Sequence, residues 1–189
     1  MTLKVTFELS TKDLRHFRTI MREARDAAKG ANEQEVIDAA AKLLGLVEAA
    51  EVPDFVSSRL ERLQTMIDML VDEEWQIPAR ERGRVLNALA YFTEPDDLIP
   101  DHIPGLGFLD DAIMIELVQR ELRHEIEAYE DFCRFREDLK KKRKQLAQSE
   151  TTPEERLGKR RKALHERMRR RGSQRRRARR SGGPRVTLF

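Results

Sequence analysis

Leu3, Val5, Phe7 and Leu9 alternate with Lys4, Thr6 and Glu8. A period of two predicts one short N-terminal strand with a single buried face. A lone strand makes no sheet, so it pairs with another segment, pairs with a second copy, or packs as an extended arm. From residue 11 the period becomes helical. Ser10 followed by Asp13 resembles a capping box, and Leu14, Phe17, Ile20 or Met21, and Ala24 share one face of a helix over about 11–29, ended by Gly30. Asn32 is the expected N-cap of a second helix over about 33–50, with Val36, Ala40, Leu43, Leu44 and Val47 as its apolar stripe. Pro53 suits the first position of a third helix bearing Phe55, Val56, Leu60, Leu63, Ile67 and Leu70, with Trp75 and Ile77 in the turn that follows. Pro78 opens a fourth helix with Val85, Leu86, Leu89 and Ala90, ending near Phe92.

The pattern then changes character. Residues 94–111 read EPDDLIPDHIPGLGFLDD. Pro95, Pro100 and Pro104 bar both helix and strand, since each lacks an N–H and holds its predecessor extended. Leu98, Ile99, Ile103, Leu106, Phe108 and Leu109 are nevertheless too apolar for an ordinary solvated loop. The expectation is a shaped loop pinned onto a core between two helices. A fifth helix starts at Asp110 or Asp111, carries Ile113, Leu117, Leu122, Ile126, Tyr129, Phe132 or Cys133, and Leu139, and runs to about Gln148 as the longest element. Residues 149–153 break it, and 154–168 form a short charged helix. From Arg169 onward Arg, Gly, Ser and Gln dominate, which predicts disorder unless bound. The fold class is all-α: a bundle of about five helices, a short N-terminal β-strand and a disordered Arg-rich C-terminal tail. The domain division is an acidic helical domain over 1–148 and a basic tail over 149–189.

Charge sharpens that division. The chain carries +3 in total, but residues 156–189 hold 15 Lys or Arg against the single acid Glu166, leaving −11 for residues 1–155. The single Cys133 excludes an intramolecular disulfide and fits a reducing compartment. No apolar run approaches the roughly 20 residues of a membrane span, and the first residues lack the basic and apolar regions of a secretory signal. The expected location is cytoplasmic, or peripheral to a membrane.

Residues 91–118, YFTEPDDLIPDHIPGLGFLDDAIMIELV, carry a specific pattern: Tyr91, Pro95, the block Asp97-Leu98-Ile99-Pro100-Asp101, Ile103-Pro104, Gly107 and the pair Asp110-Asp111. In these residues the chain resembles the YkvA-like domain family, a bacterial domain of unknown function. The resemblance spans about residues 85–125 and implies a helix–loop–helix unit. It implies no activity, since the family has none firmly assigned, and some members look membrane-associated.

Carboxylates converge in this unit. Asp97, Asp101, Asp110 and Asp111 are the candidate ligands of a divalent cation, which prefers oxygen donors. The competing and favoured reading is that they cap turns and the start of the fifth helix, so no metal or other cofactor is assigned. The run DDLIPD lacks the alternating ligand spacing and central glycine of a calcium-binding loop. His16, His102, His124 and His165 share no ligand spacing, and a zinc site needs more Cys or His. No nucleophile elbow, phosphate loop or dinucleotide fingerprint is present, and Cys133 on an apolar face reads as an inert thiol. No catalytic residue and no small-molecule substrate is inferred.

In the tail Arg outnumbers Lys thirteen to two. The guanidinium fork suits phosphate, and the absence of aromatic rings before Phe189 argues against reading bases. Arg169, Arg170, Arg171, Arg175, Arg176, Arg177, Arg179 and Arg180 are the candidate nucleic-acid contacts. The expectation is a non-enzymatic binding or scaffold protein whose tail meets RNA or DNA phosphates without sequence preference. Two alternatives stand beside it: a peripheral membrane scaffold on anionic lipid, and a divalent-metal-dependent enzyme using the loop aspartates. A tail folded back on the acidic body and a homo-oligomer are further expectations the charge and strand patterns raise.

Overall fold

The computed structural model describes residues 8–27, 30, 32–48, 52–93, 108–142 and 151–181, with the side chains of the last helix described through Gln174. Seven α-helices and one 3₁₀ segment make up the regular structure among these residues: α1 (Thr11–Ala27), α2 (Glu33–Glu48), α3 (Asp54–Val71), α4 (Ala79–Leu89), the 3₁₀ turn Ala90–Thr93, α5 (Leu109–Glu121), α6 (Arg123–Lys141) and α7 (Pro153–Ser181). The fold is all-α. Most of the strand expected at the N-terminus lies outside the described residues, and Glu8 to Ser10 form no regular structure.

Helix starts follow local chemistry. Ser10 Oγ accepts from the Asp13 N–H at 3.3 Å, and the Asp13 carboxylate accepts from the Ser10 N–H at 2.8 Å. Asn32 and Glu35 make the same reciprocal pair before α2, both bonds at 2.9 Å. Each closes two backbone donors that a helix start otherwise leaves open.

The chain divides into two compact units, Met1–Ile67 with Gly83–Arg120, and Asp68–Arg82 with Glu121–Phe189. In the first unit α1 and α2 both pack on the 3₁₀ turn Ala90–Thr93. Its core holds Met21, Val36, Ala40, Val47, Val56, Leu60, Leu63, Met66, Val85 and Leu89. Phe55 departs from its expected place in this core. It is exposed and covered by the Arg59 guanidinium, 4.2 Å from the ring centroid. Helix α5 is buried almost all round, from Asp110 through Ile115 and again at Leu117 and Val118. It is entered through Phe108, a buried residue with φ of 64°, in the left-handed region that bulky side chains seldom adopt.

The long fifth helix of the sequence pattern is two helices. Leu122 interrupts it with φ −96° and ψ 12°, and its carbonyl accepts from both Glu125 and Ile126 at the start of α6. No Gly or Pro marks the break, and the apolar period runs through it: Ile113, Leu117, Leu122, Ile126, Tyr129, Phe132 and Leu139 are all buried.

The second correction concerns α7. The pattern predicts a short helix to 168 followed by disorder, whereas helical backbone continues to Ser181. Thr152 Oγ1 accepts from the Glu155 N–H and the Glu155 carboxylate from the Thr152 N–H, each at 3.1 Å, while Pro153 takes the first helical position. Arg is among the better helix formers, and no proline interrupts the run before Pro184. Leu164 and Met168 are each only 2% exposed, and α7 packs along α6. The basic segment is grouped with α6 in the second unit.

Candidate phosphate-contacting face of the Arg-rich helix

The centre of the second unit is Trp75, fully buried in the turn after α3. Tyr129 and Phe132 of α6 lie 5.7 Å and 5.1 Å from it, centroid to centroid, and His165 of α7 lies 4.5 Å away, edge to face. Asp72 holds the turn. Its carboxylate accepts from the Glu74 and Trp75 N–H groups at 2.9 and 3.0 Å, from Tyr129 Oη at 3.0 Å and from Arg136 at 2.8 Å. Burial alone would raise the Asp72 pKa, but those donors outweigh it and hold the carboxyl below its usual range. Burial likewise lifts the Tyr129 hydroxyl above its ordinary value, keeping it a neutral donor. Burial and the Arg161 charge push His165 down to about 4, so it packs as a neutral ring.

Helix α7 runs antiparallel to α6. Arg160 lies over the Phe135 ring, Arg167 bonds Asp131, and Arg171 bonds Glu127 at 2.8 Å, so numbers rise along one helix as they fall along the other. Arg161 donates to the Glu74 carbonyl at 2.9 Å. Asp131, also bonded by Arg134, stays below the usual carboxylate range: burial opposes this, and the arginine bonds prevail. His124 at the head of α6 is lowered by burial and by Arg171 and Arg123.

These contacts sort seven of the basic residues of α7 into two sets, with Arg160 over Phe135 and Arg156 bonded to Thr151 outside both. Arg161, Arg167 and Arg171 are engaged by the turn after α3 and by α6. Lys159, Lys162, Arg169 and Arg170 are exposed. At 100° per residue these four and Glu166 fall on one line opposite Leu164 and Met168. Arg170 pairs with Glu166 at 2.6 Å within that line. A shallow depression bounded by Glu166, Arg169, Arg170, Ser173 and Gln174 lies along the same face.

Of the candidate contacts named from sequence, Arg169 and Arg170 lie on this open face and Arg171 turns to Glu127. Arg175, Arg176, Arg177, Arg179 and Arg180 are helical in backbone, with side chains outside the described residues. Lys159 and Lys162 were not singled out from sequence. A helical register carried back from 169 would have found them. Of the metal candidates, Asp97 and Asp101 lie outside the described residues, together with the rest of residues 94–107. Asp110 and Asp111 stand in the first turn of α5, 1% and 5% exposed, which places them inside the fold at a helix start. No cluster of three or more metal-binding side chains occurs among the described residues. Cys133 is half-buried beside Arg136, and burial raises its thiol pKa, the opposite of an activated nucleophile. No described helix is long and apolar enough to cross a membrane.

An all-α chain with buried acids at the start of α5 and an Arg-rich helix packed on α6 defines a structural class rather than a reaction. Residues 82–117, from α4 into α5, match the family described as "Protein of unknown function (DUF1232)". The chain is also 34% identical over 77 residues to the "Uncharacterized membrane protein YkvA" of Bacillus subtilis (strain 168), covering 38% of this chain and 71% of that protein. The chain belongs to this YkvA-like family of unknown function. The matched segment 82–117 ends before α6 and α7 begin. No solved structure matches the chain.

Proposed function

We propose that the protein is a non-enzymatic binding module that presents its Arg-rich helix to the phosphates of RNA or DNA, without sequence preference. The observation that carries the reading is the division of α7. Its apolar residues Leu164 and Met168 are buried, and the opposite face is cationic and exposed. Guanidinium groups bind phosphate oxygens in bidentate fashion. A surface-seeking membrane helix, by contrast, inserts an apolar face, and the buried apolar residues of α7 already occupy that role within the second unit. A titration of the full-length protein against fluorescein-labelled 20-nucleotide RNA and DNA, single- and double-stranded, tests the reading. If about 6 to 10 phosphates are engaged, affinity falls roughly 10³- to 10⁵-fold between about 50 and 200 mM salt. No binding at 50 mM salt refutes it.

One observation favours a second reading. The Bacillus relative is called a membrane protein. The same cationic face would then meet anionic headgroups electrostatically, at about 1 kcal/mol per basic residue near the surface. Sedimentation with vesicles of phosphatidylcholine and phosphatidylserine separates the two: vesicle binding without nucleic-acid binding replaces the first reading by the second.

A further inference from the structure

The two sets of basic residues on α7 have different neighbours, and the open set has a definite shape. Lys159, Lys162, Arg169 and Arg170 form one line along the exposed face of α7. From 159 to 170 that line is about 17 Å long at 1.5 Å per residue. One turn of duplex rises about 34 Å. Leu164, Met168 and the pairs Arg167–Asp131 and Arg171–Glu127 hold α7 along α6 and so fix which side chains face outward. A cationic line on a helix packed along its neighbour suits a polyanion of high charge density, and duplex DNA carries one charge per about 1.7 Å of axis. Single strands are gripped differently, by aromatic platforms on which bases stack. The one ring on the described part of α7 is His165, and it is packed edge to face on Trp75.

We infer that Lys159, Lys162, Arg169 and Arg170 form a duplex-contacting line that tracks the backbone of double-stranded nucleic acid over about half a turn, while Arg161, Arg167 and Arg171 position the helix. This rests on the phosphate-contact reading above. It adds the strandedness of the partner and the residues that touch it. Glu166 sits within the line and pairs with Arg170, so engagement exchanges a protein carboxylate for a phosphate on that guanidinium.

The test uses full-length protein, fluorescence anisotropy, and four probes: a 20-base-pair DNA duplex, a 20-base-pair RNA duplex, and 20-nucleotide single strands of each. Duplexes are expected to bind at least about ten-fold more tightly than the strands at matched salt. The variant Lys159→Gln with Lys162→Gln, Arg169→Gln and Arg170→Gln is expected to lower the slope of log affinity against log salt by about 3 to 4 on duplex DNA, at roughly 0.9 per lost phosphate contact. Its Trp75 fluorescence is expected to match the parent, since the four residues are exposed. Arg167→Gln is expected to leave the slope unchanged. Equal affinity for strand and duplex overturns this inference and leaves the phosphate reading standing. A full slope in the quadruple variant, with loss in Arg167→Gln, overturns the assignment of residues. Absence of nucleic-acid binding, with or without binding to phosphatidylserine vesicles, overturns both.

Discussion

Truncating Leu164 or Met168 to alanine is the sharpest perturbation of the second unit. Both side chains are 2% exposed and lie on the face of α7 that packs on α6. Leu→Ala removes three carbons, a transfer cost of about 2.4 kcal/mol at ~0.8 kcal/mol per buried methylene. The cavity left behind raises this, and buried Leu or Met→Ala changes cost about 2–5 kcal/mol. Domains are stable by only about 5–15 kcal/mol, so either change removes a large fraction. At about 2–4 °C per kcal/mol for a chain of this size, a loss near 3 kcal/mol lowers Tm by about 6–12 °C. The two residues are four apart and share neighbours, so the double variant is expected to fall short of the sum. Trp75 is the single tryptophan and touches His165 of α7, so its fluorescence reports this packing during urea unfolding. Lys162→Ala, exposed on the opposite face, is the control and is expected to stay within about 0.5 kcal/mol of the parent. If Leu164→Ala and Met168→Ala shift the midpoint no more than Lys162→Ala, α7 is not a packed element and the division of its basic residues collapses.

Other outcomes follow from the same geometry. His165, held at about 4 when folded against 6.5 unperturbed, refuses a proton that the unfolded chain accepts, so stability falls as pH drops from about 6.5 toward 4; His165→Phe should flatten that limb of a urea-midpoint against pH curve. Asp72→Ala strips the Trp75 turn of its acceptor and leaves Arg136 without its more buried partner, and should cost about 2–4 kcal/mol by chemical denaturation, against about 1 kcal/mol for Tyr129→Phe. Arg171→Gln removes a half-exposed pair with Glu127 and should change stability by less than about 1 kcal/mol, so any larger loss would give that rim contact a role beyond a surface ion pair.

Much of the first unit was legible because its signals are local. Ser10 with Asp13, Asn32 with Glu35, and Pro53 mark helix starts through bonds within four residues. The apolar stripes of α2 and, apart from Phe55, of α3 were legible because burial of one face repeats every turn. The break at Leu122 had no such signal. A buried leucine with an unremarkable neighbourhood leaves helical geometry there, and the periodic stripe crosses it unchanged. The length of α7 was hidden by composition. Its fourteen basic residues suggest self-repulsion, yet Thr152, Glu155 and Pro153 start the helix, and Asp131, Glu127 and the Glu74 carbonyl receive its inward arginines. Those acceptors come from 30 to 90 residues away, and no window of sequence displays such pairing. For the candidate site, the arginine run drew attention to α7 from sequence, while the division into inward-bonded and outward-facing residues needed the register of α7 on α6. The aspartates of α5 show the converse: a motif conspicuous in sequence whose Asp110 and Asp111 are buried at a helix start.

The central claim is that phosphates of nucleic acid are what this protein touches. Affinity purification of the full-length protein from its native cell, split into nuclease-treated and untreated halves, tests it most directly. The account predicts that RNA or DNA co-purifies in the untreated half, and that nuclease releases the proteins carried with it. Recovery of the same partners after nuclease, with phospholipid in place of nucleic acid, would contradict it.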